Sequence, residues 1–100
     1  MEPQNVRYFL AVCDELSFTR AAQKCGIKQP TLSEAIKQME QAMGGELFVR
    51  ASPVRLTALG FQLQPICVQV NELLENARAM STSLKEPTPS LAQSKDVLNA

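Results

Sequence analysis

Histidine and tryptophan are absent from this 100-residue sequence, and its three cysteines are scattered. Cys13, Cys25 and Cys67 form no CxxC pair, and an odd number at irregular spacing indicates neither a zinc site nor a disulfide framework. Without histidine, and with its acidic residues dispersed, the chain offers no nucleophile–base pair and no metal cluster. We therefore expect neither an enzyme nor a cofactor. A redox role stays open for Cys25, because Lys24 and Lys28 nearby would favour its thiolate, although its apolar stripe is typical of a core residue.

The sequence also lacks a net charge and a long hydrophobic run. Ten basic residues balance ten acidic residues, so any attraction to a nucleic acid has to come from the local placement of charge. No stretch approaches the roughly 20 apolar residues that span a bilayer, and the N-terminus lacks the basic and apolar segments of a signal peptide. We expect a cytoplasmic protein without a membrane partner, in which the 45% of hydrophobic residues form one small core.

Two short amphipathic helices are predicted near the N-terminus. Apolar residues at intervals of three and four predict a helix over residues 5–15, with Asn5 as its N-cap. Ser17 is a suitable N-cap for a second helix over residues 18–25. Gly26 suits the left-handed conformation that follows a helix end, so a tight turn is expected there.

A third helix and a hairpin follow. Pro30 fits the first turn of a helix, and an apolar stripe that includes Leu32 and Ile36 continues as far as Gly44. The short β-prone runs LFVR and VRLT then predict a two-stranded hairpin, which is stable only if it leans on a helical core.

A fourth helix is predicted from Thr57, with Pro65 as a local bend inside it. Phe61, Val68 and Leu74 are expected to pack back on the body of the domain. Seven other apolar residues are separated by alternating intervals of four and three, which is the pattern of a dimerising coiled coil. This seam consists of Leu59, Leu63, Ile66, Val70, Leu73, Ala77 and Met80.

A short helix, a tight turn at Gly26 and a second helix with exposed polar groups form the helix-turn-helix pattern. YFLAV, SFTRAAQKCGIKQPTLSEAIKQME, LFVR and VRLTALG follow in family order, and over about residues 4–80 the chain resembles the DNA-binding domain of LysR-type transcriptional regulators. The resemblance implies a mainly α winged helix-turn-helix over residues 1–57, a dimerising linker helix over residues 58–82 and a flexible tail or interdomain linker over residues 83–100. It also implies a bacterial transcription regulator that binds double-stranded DNA as a dimer, at inverted repeats of the T-N11-A type.

The positions at which the family reads DNA fall at the start of the third helix. Gln29 can form two hydrogen bonds with adenine, and Pro30 and Thr31 can contact a thymine methyl group. Ser33 can donate to a phosphate or a base edge, and Glu34 can accept from cytosine. The alternative is that these polar groups only cap and solvate the helix.

Basic residues in or beside the motif would attract DNA phosphates, although the net charge of the whole chain is zero. Between residues 16 and 39 there are four Lys or Arg and one acid, Glu34, which gives a local excess of three positive charges. Lys24 is equally typical of a solvated helix face. The residues expected to contact phosphates, directly or as part of the wing, are Arg20, Lys28, Lys37, Arg50 and Arg55.

A carboxylate on the reading helix departs from the family pattern, which commonly has a basic residue at position 34. Apart from specifying a base, Glu34 would pair with Lys28 or Lys37, or weaken binding by repelling a phosphate. With the zero net charge, it favours an alternative function: a dimerisation module impaired in DNA binding that modulates a full-length relative. The sequence after residue 80 shows no ligand site, so no small-molecule inducer site is expected on this chain.

Overall fold

Four helices and a two-stranded antiparallel hairpin follow one another along the chain. The computed structural model describes residues 1–85, with side chains as far as residue 81. The arrangement confirms the predicted fold class, a mainly α winged helix-turn-helix followed by a long helix. The elements are α1 (Pro3–Glu15), α2 (Phe18–Cys25), α3 (Gln29–Met43), β1 (Phe48–Val49), β2 (Arg55–Leu56) and α4 (Ala58–Lys85).

The start of α1 differs from the sequence prediction. The helix begins at Pro3, with Glu2 as its extended N-cap residue, so the prediction of Asn5 as N-cap is wrong. Proline suits a first helical turn, because its φ is already helical and its missing N–H would have no partner there. Asn5 instead lies inside the helix and is only 3% exposed, and its Nδ2 donates to Oε1 of Gln38 at 3.5 Å.

The turn between α2 and α3 follows the prediction closely. The Oγ of Ser17 accepts a hydrogen bond from the backbone N–H of Arg20 at 3.1 Å, which confirms Ser17 as the N-cap of α2. Gly26 ends α2 with a φ of 71°, a left-handed conformation that glycine adopts without strain. The N–H of Ile27 then donates to the carbonyl of Ala22 at 3.0 Å, which closes the turn and directs the chain into α3.

One hydrophobic core joins the helices to the hairpin. The Phe48 ring of β1 lies 5.3 Å from the Phe9 ring of α1 and 5.8 Å from the Phe18 ring of α2, measured between centroids. From α3, Leu32 and Ile36 point into the same core and are fully buried. The buried side of α3 thus fixes which residues of that helix remain on the surface.

The hairpin is short and is attached firmly to α4. Phe48 pairs with Leu56 in antiparallel register. Thr57, between β2 and α4, donates its hydroxyl to the carbonyl of Glu46 at 2.6 Å and accepts the N–H of Gly60 at 3.0 Å. A Cβ atom at Gly60 would collide with the carbonyl oxygen of Leu47, so this close approach requires glycine.

α4 packs on the body through a different stripe from the one expected. Leu63 and Cys67 are buried and Leu74 is half-buried, whereas Phe61 and Val68 are 64% and 41% exposed. The prediction that Phe61 and Val68 pack back is therefore wrong, whereas Leu74 is half-buried but does not join the core cluster. At about 100° of rotation per residue, Leu63, Cys67 and Leu74 lie within about 40° of one another, while Phe61 and Val68 point away.

The predicted seam of α4 divides into two parts. Leu59 and Leu63 belong to the body, whereas the remaining members of the seam are exposed. The helix continues through Pro65 and runs to Lys85, and residues 86–100 of the predicted tail lie outside the described residues. Within residues 1–85, no helix combines the length and apolar character needed to cross a membrane.

Candidate nucleic-acid interface

The N-terminal half of α3 presents its polar side chains to solvent. Leu32, Ala35 and Ile36 are buried and anchor the helix in the core, so the polar residues between and before them face outward. The five residues predicted to read bases lie together on this surface. Gln29, Pro30, Thr31 and Glu34 are exposed, and Ser33 is half-buried.

One edge of α3 faces the hairpin loop. An open groove of about 490 Å³ lies between α3, the loop of residues 51–53 and the start of α2. On the α3 side it is lined by Gln29, Ser33 and Lys37, which lie on successive turns of the helix. The Nε2 of Gln29 donates to the Oγ of Ser33 at 3.1 Å. This groove therefore combines a fixed carboxamide, a hydroxyl group and a lysine.

The other edge of α3 faces the first turns of α1. Pro30, Thr31 and Glu34 line a second open groove, of about 410 Å³, together with residues that include Asn5 and Tyr8 of α1. Glu34 forms no ion pair with Lys28 or Lys37 within the described side chains, so its carboxylate is not neutralised on its own helix. The predicted base-reading residues are thus distributed between two edges of one helix.

Part of the predicted positive charge is neutralised by α1. Arg20 Nε lies 3.5 Å from a carboxylate oxygen of Glu15, and Lys24 Nζ lies 3.2 Å from Asp14 and 3.8 Å from Glu15. The hydrogen bond that Lys24 donates to the Asp14 carboxylate, and the negative charge of Asp14, raise the pKa of Lys24. The excess of three charges counted from residue 16 therefore overstates the local field, because Asp14 and Glu15 immediately precede that window.

Arg50 is held by two contacts at the base of the wing. Its Nη2 lies 2.9 Å from Oε1 of Glu40, and its guanidinium stacks 4.6 Å from the centroid of the Phe18 ring. The arginine side chain is still 45% exposed. Lys28, Lys37 and Arg55 differ from it, because they are exposed and form no ion pair among the side chains that the structure describes.

Sequence comparison identifies the family of this helix-turn-helix. Residues 3–61 match the model of the bacterial regulatory helix-turn-helix protein, lysR family. The chain belongs to the LysR family. It is 41% identical over 85 residues to the HTH-type transcriptional regulator IlvR of Caulobacter vibrioides, a match that covers 80% of this chain and 29% of that protein. The HTH-type transcriptional regulator BenM of Acinetobacter baylyi is 40% identical over 86 residues, covering 85% of this chain and 27% of BenM.

Structural comparison agrees with this assignment. A crystal structure of the BenM DNA-binding domain in complex with catB site 1 DNA superimposes with a TM-score of 0.80 at 34% sequence identity, covering 88% of this chain and 100% of that domain. The chain is thus a LysR-type helix-turn-helix DNA-binding domain for transcription regulation, and it is not an enzyme. It spans less than a third of IlvR and of BenM.

Glu40 is a residue of this LysR-type domain that the sequence analysis missed. Its carboxylate, only 12% exposed, accepts the backbone N–H of Leu47 through Oε2 at 2.9 Å and the guanidinium of Arg50 through Oε1. It thereby connects the C-terminal part of α3 to the hairpin. No local pattern marks Glu40, because both of its partners lie beyond the end of its own helix.

The three cysteines line neither of the two grooves beside α3. Burial, the neighbouring Asp14 carboxylate and then Cys67 raise the pKa of Cys13 to about 12, and burial also raises the pKa of Cys67. Both thiols therefore remain protonated at neutral pH, which disfavours nucleophilic reactivity. Cys25 is half-buried at the end of α2 and packs against the core.

Proposed function

We propose that this domain binds inverted-repeat operator DNA as a homodimer and places α3 of each subunit in the major groove. The observation that carries the proposal is the grouping of Gln29, Thr31 and Ser33 on the exposed start of a helix whose opposite side is fixed by Leu32 and Ile36. A helix anchored in this way can enter a groove about 12 Å wide without rearranging its own fold. The DNA complex of the related BenM domain supports the same use of this fold.

The proposed base contacts follow from the chemistry of the exposed side chains. Gln29 pairs with adenine, and Pro30 and Thr31 contact a thymine methyl group. Ser33 lies on the same edge of α3 as Gln29, within hydrogen-bond distance of its carboxamide. Glu34 accepts from cytosine, since it has no partner on its own helix that would neutralise it.

The proposed phosphate contacts differ in strength, because some of the basic side chains already form an ion pair with a carboxylate and others do not. Lys28, Lys37 and Arg55 are exposed without a carboxylate partner in the described side chains, so they bind phosphate at the lowest cost. Arg20 and Arg50 already contact Glu15 and Glu40. These two arginines contribute through the N–H groups that their partners leave free.

The exposed seam of α4 is the proposed dimer interface. Ile66 is 54% exposed, Leu73 is 68% exposed and Met80 is 63% exposed, and all three lie on one side of a helix that extends beyond the body. Burying them against a second copy would remove several large apolar side chains from water. In this proposal residues 1–57 read DNA, residues 58–82 link the subunits and residues 83–100 continue as a linker or tail.

The proposal covers only the part that this chain represents. We propose that it acts on DNA in the bacterial cytoplasm and carries no inducer site of its own. A small-molecule signal would belong to the longer part of relatives such as BenM, of which this chain covers 27%.

Fluorescence anisotropy tests the DNA-binding proposal directly. The chain is titrated into a labelled duplex that carries the T-N11-A inverted repeat, and into a scrambled duplex of equal length, at low and physiological salt. We expect tighter binding to the inverted repeat and a loss of affinity for both duplexes as salt rises. Equal affinity for the two duplexes would contradict sequence-specific reading.

Sedimentation equilibrium tests the dimer with two matched variants. Leu73→Glu introduces a charge into the seam, whereas Phe61→Glu introduces the same charge at an equally exposed apolar residue about 120° around α4. We expect Leu73→Glu to be monomeric and Phe61→Glu to remain dimeric. Monomeric behaviour of the unmodified chain at micromolar concentration would contradict the proposed interface.

The paired basic residues favour a second candidate function. Arg20, Lys24 and Arg50 all contact carboxylates of their own domain, which is the arrangement expected if the surface no longer attracts DNA strongly. In that case the chain would act as a dimerisation module that modulates a full-length relative. Failure of a folded, dimeric chain to bind either duplex would favour this function over the first.

A further inference from the structure

The hydrogen bond between Gln29 and Ser33 limits what each side chain can do at the DNA surface. The Nε2 of Gln29 donates to the Oγ of Ser33, one helical turn later, at 3.1 Å. The bond lies along the edge of α3 that faces the wing loop, in the groove that Lys37 also lines. The hydrogen bond therefore orients the Gln29 carboxamide along the helix, on the surface that would face the bases.

The bond leaves free the donor and the acceptor of Gln29 that a pair of hydrogen bonds with adenine requires. A carboxamide has two N–H donors and one carbonyl acceptor, and Ser33 engages only one N–H. The second N–H and the Oε1 atom remain available to donate to N7 and to accept from the N6 amino group of adenine. A glutamine held in this way has less side-chain freedom to lose when it binds.

We propose that Ser33 is a positioning residue that orients Gln29 for adenine, rather than a residue that reads a base itself. This inference rests on the proposed function, since it assigns how one contact of that site is formed. It predicts that the contribution of Ser33 to specificity passes through Gln29. A serine that contacted DNA independently would contribute equally whether or not Gln29 were present.

A double-mutant cycle with base analogues tests this role. The affinity for the inverted-repeat duplex is measured for the unmodified chain, Gln29→Ala, Ser33→Ala and the double variant, together with Ser33→Thr, which retains the hydroxyl. Each adenine of a half-site is replaced in turn by 7-deazaadenine, which lacks the N7 acceptor. Circular dichroism and thermal unfolding verify that every variant is folded.

We expect Ser33→Ala to weaken cognate binding about two- to tenfold, the range that corresponds to ordering one side chain, and to leave the salt dependence unchanged. At the adenine that Gln29 contacts, 7-deazaadenine should weaken the unmodified chain more than it weakens Ser33→Ala. Ser33→Thr should retain that sensitivity. In the Gln29→Ala background, the additional change Ser33→Ala should have no effect.

The outcomes separate this inference from the function on which it rests. If Gln29→Ala weakens cognate binding selectively but the effect of Ser33→Ala is the same in both backgrounds, Ser33 acts independently and only the inference fails. A Ser33→Ala variant with unchanged cognate affinity has the same consequence. If Gln29→Ala lowers the affinity for cognate and scrambled duplexes equally, Gln29 does not read a base, and both fail.

Discussion

The contacts of Glu40 give the sharpest prediction about how α3 and the hairpin are held together. Glu40→Ala removes two charge-assisted hydrogen bonds, to the N–H of Leu47 and to Arg50, both at 2.9 Å. Leu47 is fully buried, so its N–H would lose its partner in the core, at a cost of about 1 to 3 kcal/mol. The half-exposed Arg50 adds at most about 1 kcal/mol, because water screens its pairing. We therefore expect Glu40→Ala to lower the free energy of unfolding by about 1 to 4 kcal/mol.

Urea unfolding followed by circular dichroism measures this effect at one fixed protein concentration, because dimerisation would change the apparent stability. Glu34→Ala is the matched control: Glu34 is an exposed glutamate on the same helix, and its removal should change stability by no more than about 0.5 kcal/mol. Glu40→Gln keeps one acceptor oxygen and should recover part of the loss. A loss below about 1 kcal/mol for Glu40→Ala, or an equal loss for Glu34→Ala, would refute the assignment of Glu40 as the link between α3 and the hairpin.

Three further predictions follow from the structure. Gly60→Ala should destabilise the fold by about 1 to 3 kcal/mol in thermal unfolding, because its Cβ would meet a backbone carbonyl, whereas Gly45→Ala meets only the flexible Leu59 side chain and should cost less. Lys37→Ala should weaken binding to all duplexes and reduce the magnitude of the log–log salt slope by about 1, and an unchanged slope would exclude a phosphate contact. The pKa of Cys13 is raised from 9.0 to about 12, so above pH 9 unfolding releases a proton and stability falls. Cys13→Ala should show a smaller fall in urea stability from pH 8 to pH 10.5, and an equal fall would contradict the assignment.

Local patterns were sufficient for the features that depend on neighbouring residues. The Ser17 cap and the Gly26 turn were predicted correctly, because each depends on residues within one helical turn. Asn5 was assigned wrongly for the same reason: its polar side chain resembles a cap locally, but Pro3 starts the helix earlier and Gln38, 33 residues away, supplies a partner. The spacing of residues near Asn5 gives no information about that distant partner.

Long-range contacts also explain why the candidate site was only partly predictable. The exposure of Gln29 and its neighbours on α3 follows from the apolar stripe of Leu32 and Ile36, which is visible in the sequence. The pairing of Lys24 with Asp14, and of Arg50 with Glu40, each spans ten residues and depends on how helices and strands pack. On α4, the apolar spacing alone did not distinguish the residues that contact the body from those available to another subunit.

The distribution of charge makes dimerisation and DNA binding interdependent in the proposed function. Each subunit has three cations in the reading region without a carboxylate partner among the described side chains: Lys28, Lys37 and Arg55. Three phosphate contacts release counterions, which gives a slope of about −3 for the logarithm of the binding constant against the logarithm of the salt concentration. A dimer with six such contacts has a slope of about −5. In the proposed dimer each subunit supplies half of the phosphate contacts, so a monomer has a weaker electrostatic attraction to DNA. In the proposed function, the exposed seam of α4 is therefore as necessary to operator binding as the side chains of α3.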